Sequence, residues 1–139
     1  PEVPSPKLVS AAGVTSVGAG NDFACLLNEQ QEVFCWGADT YGQLGNGLPK
    51  ASEPTPQLVM GGAKGLSVGG FHACASDDSA FSCWGIALNA ASPILIPGVA
   101  IPTAMSSVGS ADGTDCGVFG PAEVRCWVAN IVAPTTVAW

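Results

Sequence analysis

The sequence predicts an all-β protein of about three propeller-type blades of antiparallel strands, each with one hairpin disulfide, and not closed into a ring by a single chain. Three observations lead there. A phrase holding two cysteines occurs three times, with Cys25 and Cys35, Cys74 and Cys83, and Cys116 and Cys126 lying 10, 9 and 10 positions apart. A tryptophan follows the second cysteine each time, as Trp36, Trp84 and Trp127. The first cysteines step by 49 and then 42 residues, a period that marks stacked or radial arrays. Four strands of roughly 5 to 6 residues with their turns fill that length, which is the make-up of a propeller blade.

The chain opens on PEVPSPKLV, where alternating prolines keep the backbone extended and suit an edge or entry strand. Related phrases return as PTPQLV at 54–59, SPILI at 92–96 and PTTVA at 134–138. Read as the opening of each unit, they divide one repeat domain, 1–139, into repeats at about 4–53, 54–92 and 93–133, with a partial fourth strand at 134–139. A second short strand follows in each repeat, at 14–17, 66–68 and 105–108. Gly18, Ala19 and Gly20 come after the first and Gly69 and Gly70 after the second, small residues that permit a tight turn or close approach of backbones near an axis.

The hairpin comes next. Phe23, Ala24, Cys25, Leu26 and Leu27 form an apolar run, 28–31 a polar turn, and Glu32, Val33, Phe34, Cys35 and Trp36 the returning run. In the second copy the turn is 76–79. The chain's last residues, Pro134, Thr135, Thr136, Val137, Ala138 and Trp139, have no hairpin behind them. An orphan strand of this kind is a template for joining another sheet, so these six are the candidate assembly residues.

Composition bounds the function. With 11 acidic against 4 basic residues and net charge −7, the surface offers nothing to neutralise a run of phosphates, so nucleic acid is not an expected partner. Only 11% of residues are charged while 47% are hydrophobic, too few charges to coat an isolated globule; burial against other copies, as a homo-oligomer or polymer, is the expected remedy. The uncharged run 79–111 is interrupted by Pro93, Pro97, Gly98 and Pro102, which argues against a membrane span. Six cysteines in a chain with one histidine indicate an oxidising compartment. Zinc sites favour cysteine pairs two to four residues apart, absent here, so a disulfide within each copy is expected. Each such loop stabilises by roughly 2 to 3 kcal/mol. The start at Pro1, with no leader, agrees with export after removal of a signal peptide, or with a fragment.

No residue set points to catalysis, a cofactor or a metal. His72, the sole histidine, stands near Asp77 and Asp78, but no oriented nucleophile accompanies it, and Phe23 and Thr114 hold the matching places in the other copies. Asp112 and Asp115 around Gly113 look like a piece of a calcium loop without its closing glutamate. Asp39 and Asn46, beside glycines, read as turn residues. Trp36, Trp84 and Trp127 could stack on a sugar or cation, but their place beside a disulfide favours packing between blades. A terminal Trp139 is best accommodated at an interface.

The phrases VGAGNDFACLLNEQQEVFCWGADTYGQLGNG at 17–47 and VGGFHACASDDSAFSCWG at 68–85 resemble the repeat of the regulator of chromosome condensation family, here in a secreted, bacterial-type form. That family's blades carry a pattern of the form (A/G)GxxHxCAL…GxVYCWGxNxxGQLG. The resemblance covers almost the whole chain and implies a β-propeller, commonly of seven blades. The loop 38–47, with Tyr41, Gly42, Gln43, Leu44 and Gly45, matches in the first repeat alone. Only seven residues separate the second hairpin from Pro93, and five the third from Pro134, so those blades have shortened outer connections or lack a strand. Family members act through protein contacts, among them a secreted inhibitor of β-lactamases. Nucleotide exchange on a small nuclear GTPase, the role of the eponym, fits poorly with the acidic charge, paired cysteines and missing blades. The resulting expectation is a non-catalytic extracellular or cell-surface protein that self-assembles through blade edges and its terminal strand, as a fibre or surface-layer subunit. The alternative is a secreted module binding a protein or glycan.

Overall fold

The computed structural model describes residues 13–47, 49–78, 81–85, 90–95, 105–111, 114–119, 123–128 and 135–136, with side chains at 13–47, 49–78 and 82–85. They form three four-stranded antiparallel sheets, and no helix occurs among the described residues. The first sheet holds β1 (Val14–Ala19), β2 (Phe23–Asn28), β3 (Val33–Ala38) and β4 (Ser52–Met60). The second holds β5 (Gly65–Val68), β6 (His72–Ser76), β7 (Phe81–Gly85) and β8 (Ala90–Leu95). The third holds β9 (Met105–Ala111), β10 (Thr114–Phe119), β11 (Glu123–Val128) and β12 (Thr135–Thr136). Each is a meander in which sequence neighbours pair.

The first hairpin shows why these residues turn where they do. Glu32 N donates to Asn28 Oδ1 at 2.8 Å and Asn28 Nδ2 donates to Glu32 Oε2 at 2.9 Å, so the polar turn satisfies its own backbone. Gln31 takes the left-handed conformation, φ 63°, that reverses the chain.

Two expectations are corrected. The proline phrases close sheets rather than open them: β4 holds Pro54 and Pro56, and β8 holds Pro93. A proline lacks the N–H that an interior strand must donate, and the outer strand is where that loss is tolerated. By the same phase β12, expected as the first strand of a fourth unit, is the outer strand of the third sheet, with Arg125 opposite Thr136 and Cys126 opposite Thr135. Pro134, Val137, Ala138 and Trp139 lie outside the described residues. The sheets thus span 14–60, 65–95 and 105–136, offset from the repeats read in the sequence. No strand is lost from the later sheets; their third-to-fourth connections shrink instead, from 39–51 to 86–89 and 129–134.

Strand register also resets the alignment. Cys25 faces Gly18, Cys74 faces Ser67 and Cys116 faces Gly109, which makes Val17, Leu66 and Val108 equivalent and puts Val68 level with Ala19.

The sheets fan about their first strands, with β1 beside β5 and β5 beside β9. Gly18 makes the first approach possible, since a Cβ there would lie 2.6 Å from Val68 Cγ2. Asn21 N donates to Gly70 O at 2.9 Å, tying the two inner turns together. Side chains alternate across a strand, so each sheet has two faces. Phe23, Cys25, Val33 and Cys35 of the first sheet meet Ala73, Ala75 and Trp84 of the second in one core, sealed by Leu44 and Ala63 from the connections.

Candidate functional site

The cysteine pairs hold the hairpins. Cys25–Cys35 and Cys74–Cys83 are disulfides with Cα atoms 4.1 Å apart, the close spacing of residues directly opposite in a ladder. All four are buried. Cys116 and Cys126 are likewise Cα partners, and their side chains lie outside the described residues. The first disulfide belongs to the core between sheets, whereas Cys74–Cys83 lies on the face of the second sheet away from Trp84, by alternation along β7.

His72 is a packing residue. It is buried, and its ring covers the inner turn so closely that a Cβ at Gly69 would sit 2.4 Å from Cε1. Phe23 covers Gly20 in the same way, at 2.1 Å from Cε1, and in both turns the glycine N donates to the ring residue's carbonyl at 2.8 Å. Among the described residues no three His, Cys, Asp or Glu side chains converge as metal ligands. Asp112 and the side chain of Asp115 lie outside the described residues.

Asp39 organises the long connection 39–51. Its Oδ1 accepts from Leu44 N at 3.0 Å, and its carbonyl accepts from Gly42 N and Lys50 N at 3.1 and 3.2 Å. The side chain is fully buried, and among the described residues Oδ2 has no hydrogen-bond partner. Burial pushes the carboxyl above its ordinary value, against the pull of the Leu44 and Lys50 backbone bonds and the Lys50 charge.

That connection grips the neighbouring sheet. Trp84 is completely buried, and its indole Nε1 donates to Gln43 O at 3.0 Å. Gln43 Oε1 in turn accepts from Tyr41 N at 2.8 Å, fixing the loop. Gly45 is required beside it: φ is +68°, and a Cβ would lie 2.7 Å from Trp84 Cδ1. This latch joins residues far apart in sequence and was not foreseen; the match of 42–45 to the repeat pattern was the only signal of it.

Trp36 has the same local setting and a different fate. Ladder pairing shifts between Cys35 and Gly37 as it does between Cys83 and Gly85, and both glycines have positive φ, 110° and 114°. Such a bulge re-aims the intervening side chain. Trp36 points away from the second sheet and is only half-buried; among the described residues nothing accepts a hydrogen bond from its indole. Around it lies an apolar row that crosses all four strands, Val17, Leu26, Phe34 and Leu58 being successive partners. Leu26 is buried by its neighbours, Phe34 is half-buried, and Val17 and Leu58 are 68% and 56% exposed. In the second sheet the equivalent row begins Leu66, Ala75, Ser82, and there Ala75 and Ser82 are buried against the first sheet. Trp127 occupies the corresponding register, opposite Asp115, with its side chain outside the described residues; Trp139 lies outside them altogether. A smaller exposed feature is the edge-on pair of Tyr41 and Phe71, ring centres 5.8 Å apart, where the long connection meets the next inner turn.

The regulator of chromosome condensation (RCC1) repeat matches residues 14–43 and, in a second form, 31–76. Over 53 residues the chain is 38% identical to the probable E3 ubiquitin-protein ligase HERC4 of Rattus norvegicus, a match covering 38% of this chain and 5% of that protein; HERC4 of Homo sapiens gives the same identity and coverage. Among solved structures, human WBSCR16 superposes with TM-score 0.77 at 17% identity over 95% of this chain and 39% of its own. Yeast RCC1 (Prp20) bound to Kap60 gives 0.72 at 16% identity over 87% and 30%. The ectodomain of the Physcomitrella patens receptor kinase CR4 gives 0.55 at 24% over 84% and 30%. The chain therefore spans no more than 39% of these structures' length, and at such identities the likeness concerns the fold. Residues 14–76 thus carry the RCC1 repeat, and the three sheets share the fold of the RCC1-repeat β-propellers.

Proposed function

We propose that this chain is a non-catalytic protein-interaction module that accepts a blade from outside its own three sheets on the side of the first that no described residue covers. The observation carrying this reading is the unequal burial of Trp36 and Trp84, which share strand position, bulge and following glycine. An apolar row ending in two exposed side chains, beside an indole that no described residue accepts from, has the composition of an interface. Related propellers favour protein partners: yeast RCC1 was solved bound to Kap60, and Prp20p was studied for binding to Gsp1p and histones. The match to the HERC4 ligase covers 53 residues of repeat and supports no ligase chemistry here. Disulfides favour work outside the cell or at its surface.

Acrylamide quenching of variants each retaining one tryptophan tests the reading. Trp36 fluorescence is expected to be quenched several-fold more than Trp84 in the dilute chain; equal quenching of the two would rule the uncovered face out.

A second reading, self-assembly into a fibre or surface layer through residues 134–139, draws support from the third sheet's outer edge. Among the described residues Arg125 and Cys126 of β11 pair with Thr136 and Thr135, which places the chain's last residues at an outer strand, the kind of edge that can pair with another sheet. Light scattering of the chain with and without 134–139 tests it: assemblies that persist after the deletion would exclude a role for the terminal strand.

A further inference from the structure

We infer that the blade covering Trp36 is one with a long third-to-fourth-strand connection that offers a backbone carbonyl to the indole, and that a second copy of this chain does not supply it. The inference rests on the docking reading above and names its partner.

The reasoning starts from the step between sheets already present in the molecule. Trp84 is held by the carbonyl of Gln43, presented by connection 39–51 of the preceding sheet. A tryptophan carries one donor and no acceptor, so a buried one needs such a carbonyl or leaves an N–H unsatisfied. The latched tryptophan is followed by a glycine of positive φ at a ladder shift. Trp36 repeats each of those features, with Gly37 at φ 110° and the shift between Cys35 and Gly37. Trp127 departs from them, being followed by Val128, and the connection that precedes its sheet is only residues 86–89. Long connection and Trp-Gly thus occur together, as do short connection and Trp-Val. Trp36 belongs to the first kind.

A second copy fails as the occupant for a topological reason. Its third sheet carries only the short connection 129–134. Its one long connection is already engaged with its own Trp84, and the face beneath that connection is buried in its own core. The partner is therefore a repeat blade outside residues 14–139 with a loop of the 39–51 type.

The test places one extra blade ahead of residue 14 of the full chain in two forms: a copy of 14–60, and the same copy with 39–51 cut to the length of 86–89. The readout is hydrogen exchange of the Trp36 indole N–H by NMR. The long-loop form is expected to slow exchange roughly 5- to 30-fold, and the short-loop form to leave it unchanged. Equal protection in both forms would overturn the loop requirement while leaving blade docking intact; protection in neither would overturn docking itself. Trp84→Phe in the unextended chain is the independent check, expected to speed exchange at the Leu44 and Gly45 amides. No change there would mean the latch does not hold the loop, and the inference falls with it.

Discussion

The first and second sheets carry the same cysteine clasp, the same Trp-Gly step and the same ladder shift, yet Trp84 is sealed and Trp36 is half open. Repeat sequence fixes geometry within a sheet; what lies alongside fixes burial. In an array where each unit touches its neighbours, a side chain's energetic weight is a property of the step between units. Among the described residues, the first sheet differs from the second chiefly in having a neighbouring sheet on one side and not on both.

The largest expected effect breaks that comparison at its centre. Trp84→Ala should destabilise by about 3 to 5 kcal/mol, as for a large buried aromatic, whereas Trp36→Ala should cost under about 2 kcal/mol. Urea unfolding of the two variants measures the difference, and equal losses would show that the faces are equally covered. Next in size, replacing Cys25 and Cys35 with serine should cost roughly 2 to 3 kcal/mol for a loop of this length. Because that pair lies in the core between sheets, the same change should loosen the Trp84 environment, visible by near-ultraviolet circular dichroism. The subtlest expected change is a pH slope. The Asp39 carboxyl is raised above 3.8 by burial, so the folded chain holds this proton more tightly than the unfolded one. Its contribution to stability is therefore greatest below 3.8 and declines as pH rises through the raised folded-state value. Asp39→Asn should remove that decline from a series of denaturant midpoints, and an unaltered slope would mean the carboxyl does not sense its burial.

Much of this was legible in the sequence. Phe23 to Leu27 and Val33 to Trp36 declare a hairpin through a polar turn between apolar runs, and recurrence of the cysteine pair fixed its partner strand. The phase of the proline phrases was not legible. In a tandem array a strand lying between two hairpins reads alike whether it ends one sheet or begins the next, and pairing of β4 with β3 settles it. Matching Val68 to Val17 by their shared Val-Gly slipped the alignment by two residues, which the cysteine ladder corrects. The Gln43–Trp84 bond was hidden for another reason: its acceptor is a backbone carbonyl, a group every residue has. The open row of Val17, Leu26, Phe34 and Leu58 was present as alternation, but nothing in composition tells a face awaiting a neighbour from one that has it.

Pro54 and Pro56 stand on the outermost strand of the first sheet, where the ladder between β3 and β4 shifts and neither supplies an N–H. A stray chain trying to extend that sheet sideways meets no donor at either site, and amyloid-like growth from this rim is discouraged. The consequence is directional: the prolines discourage lateral pairing at this rim, while the exposed Val17 and Leu58 side chains of the same sheet lie on its face.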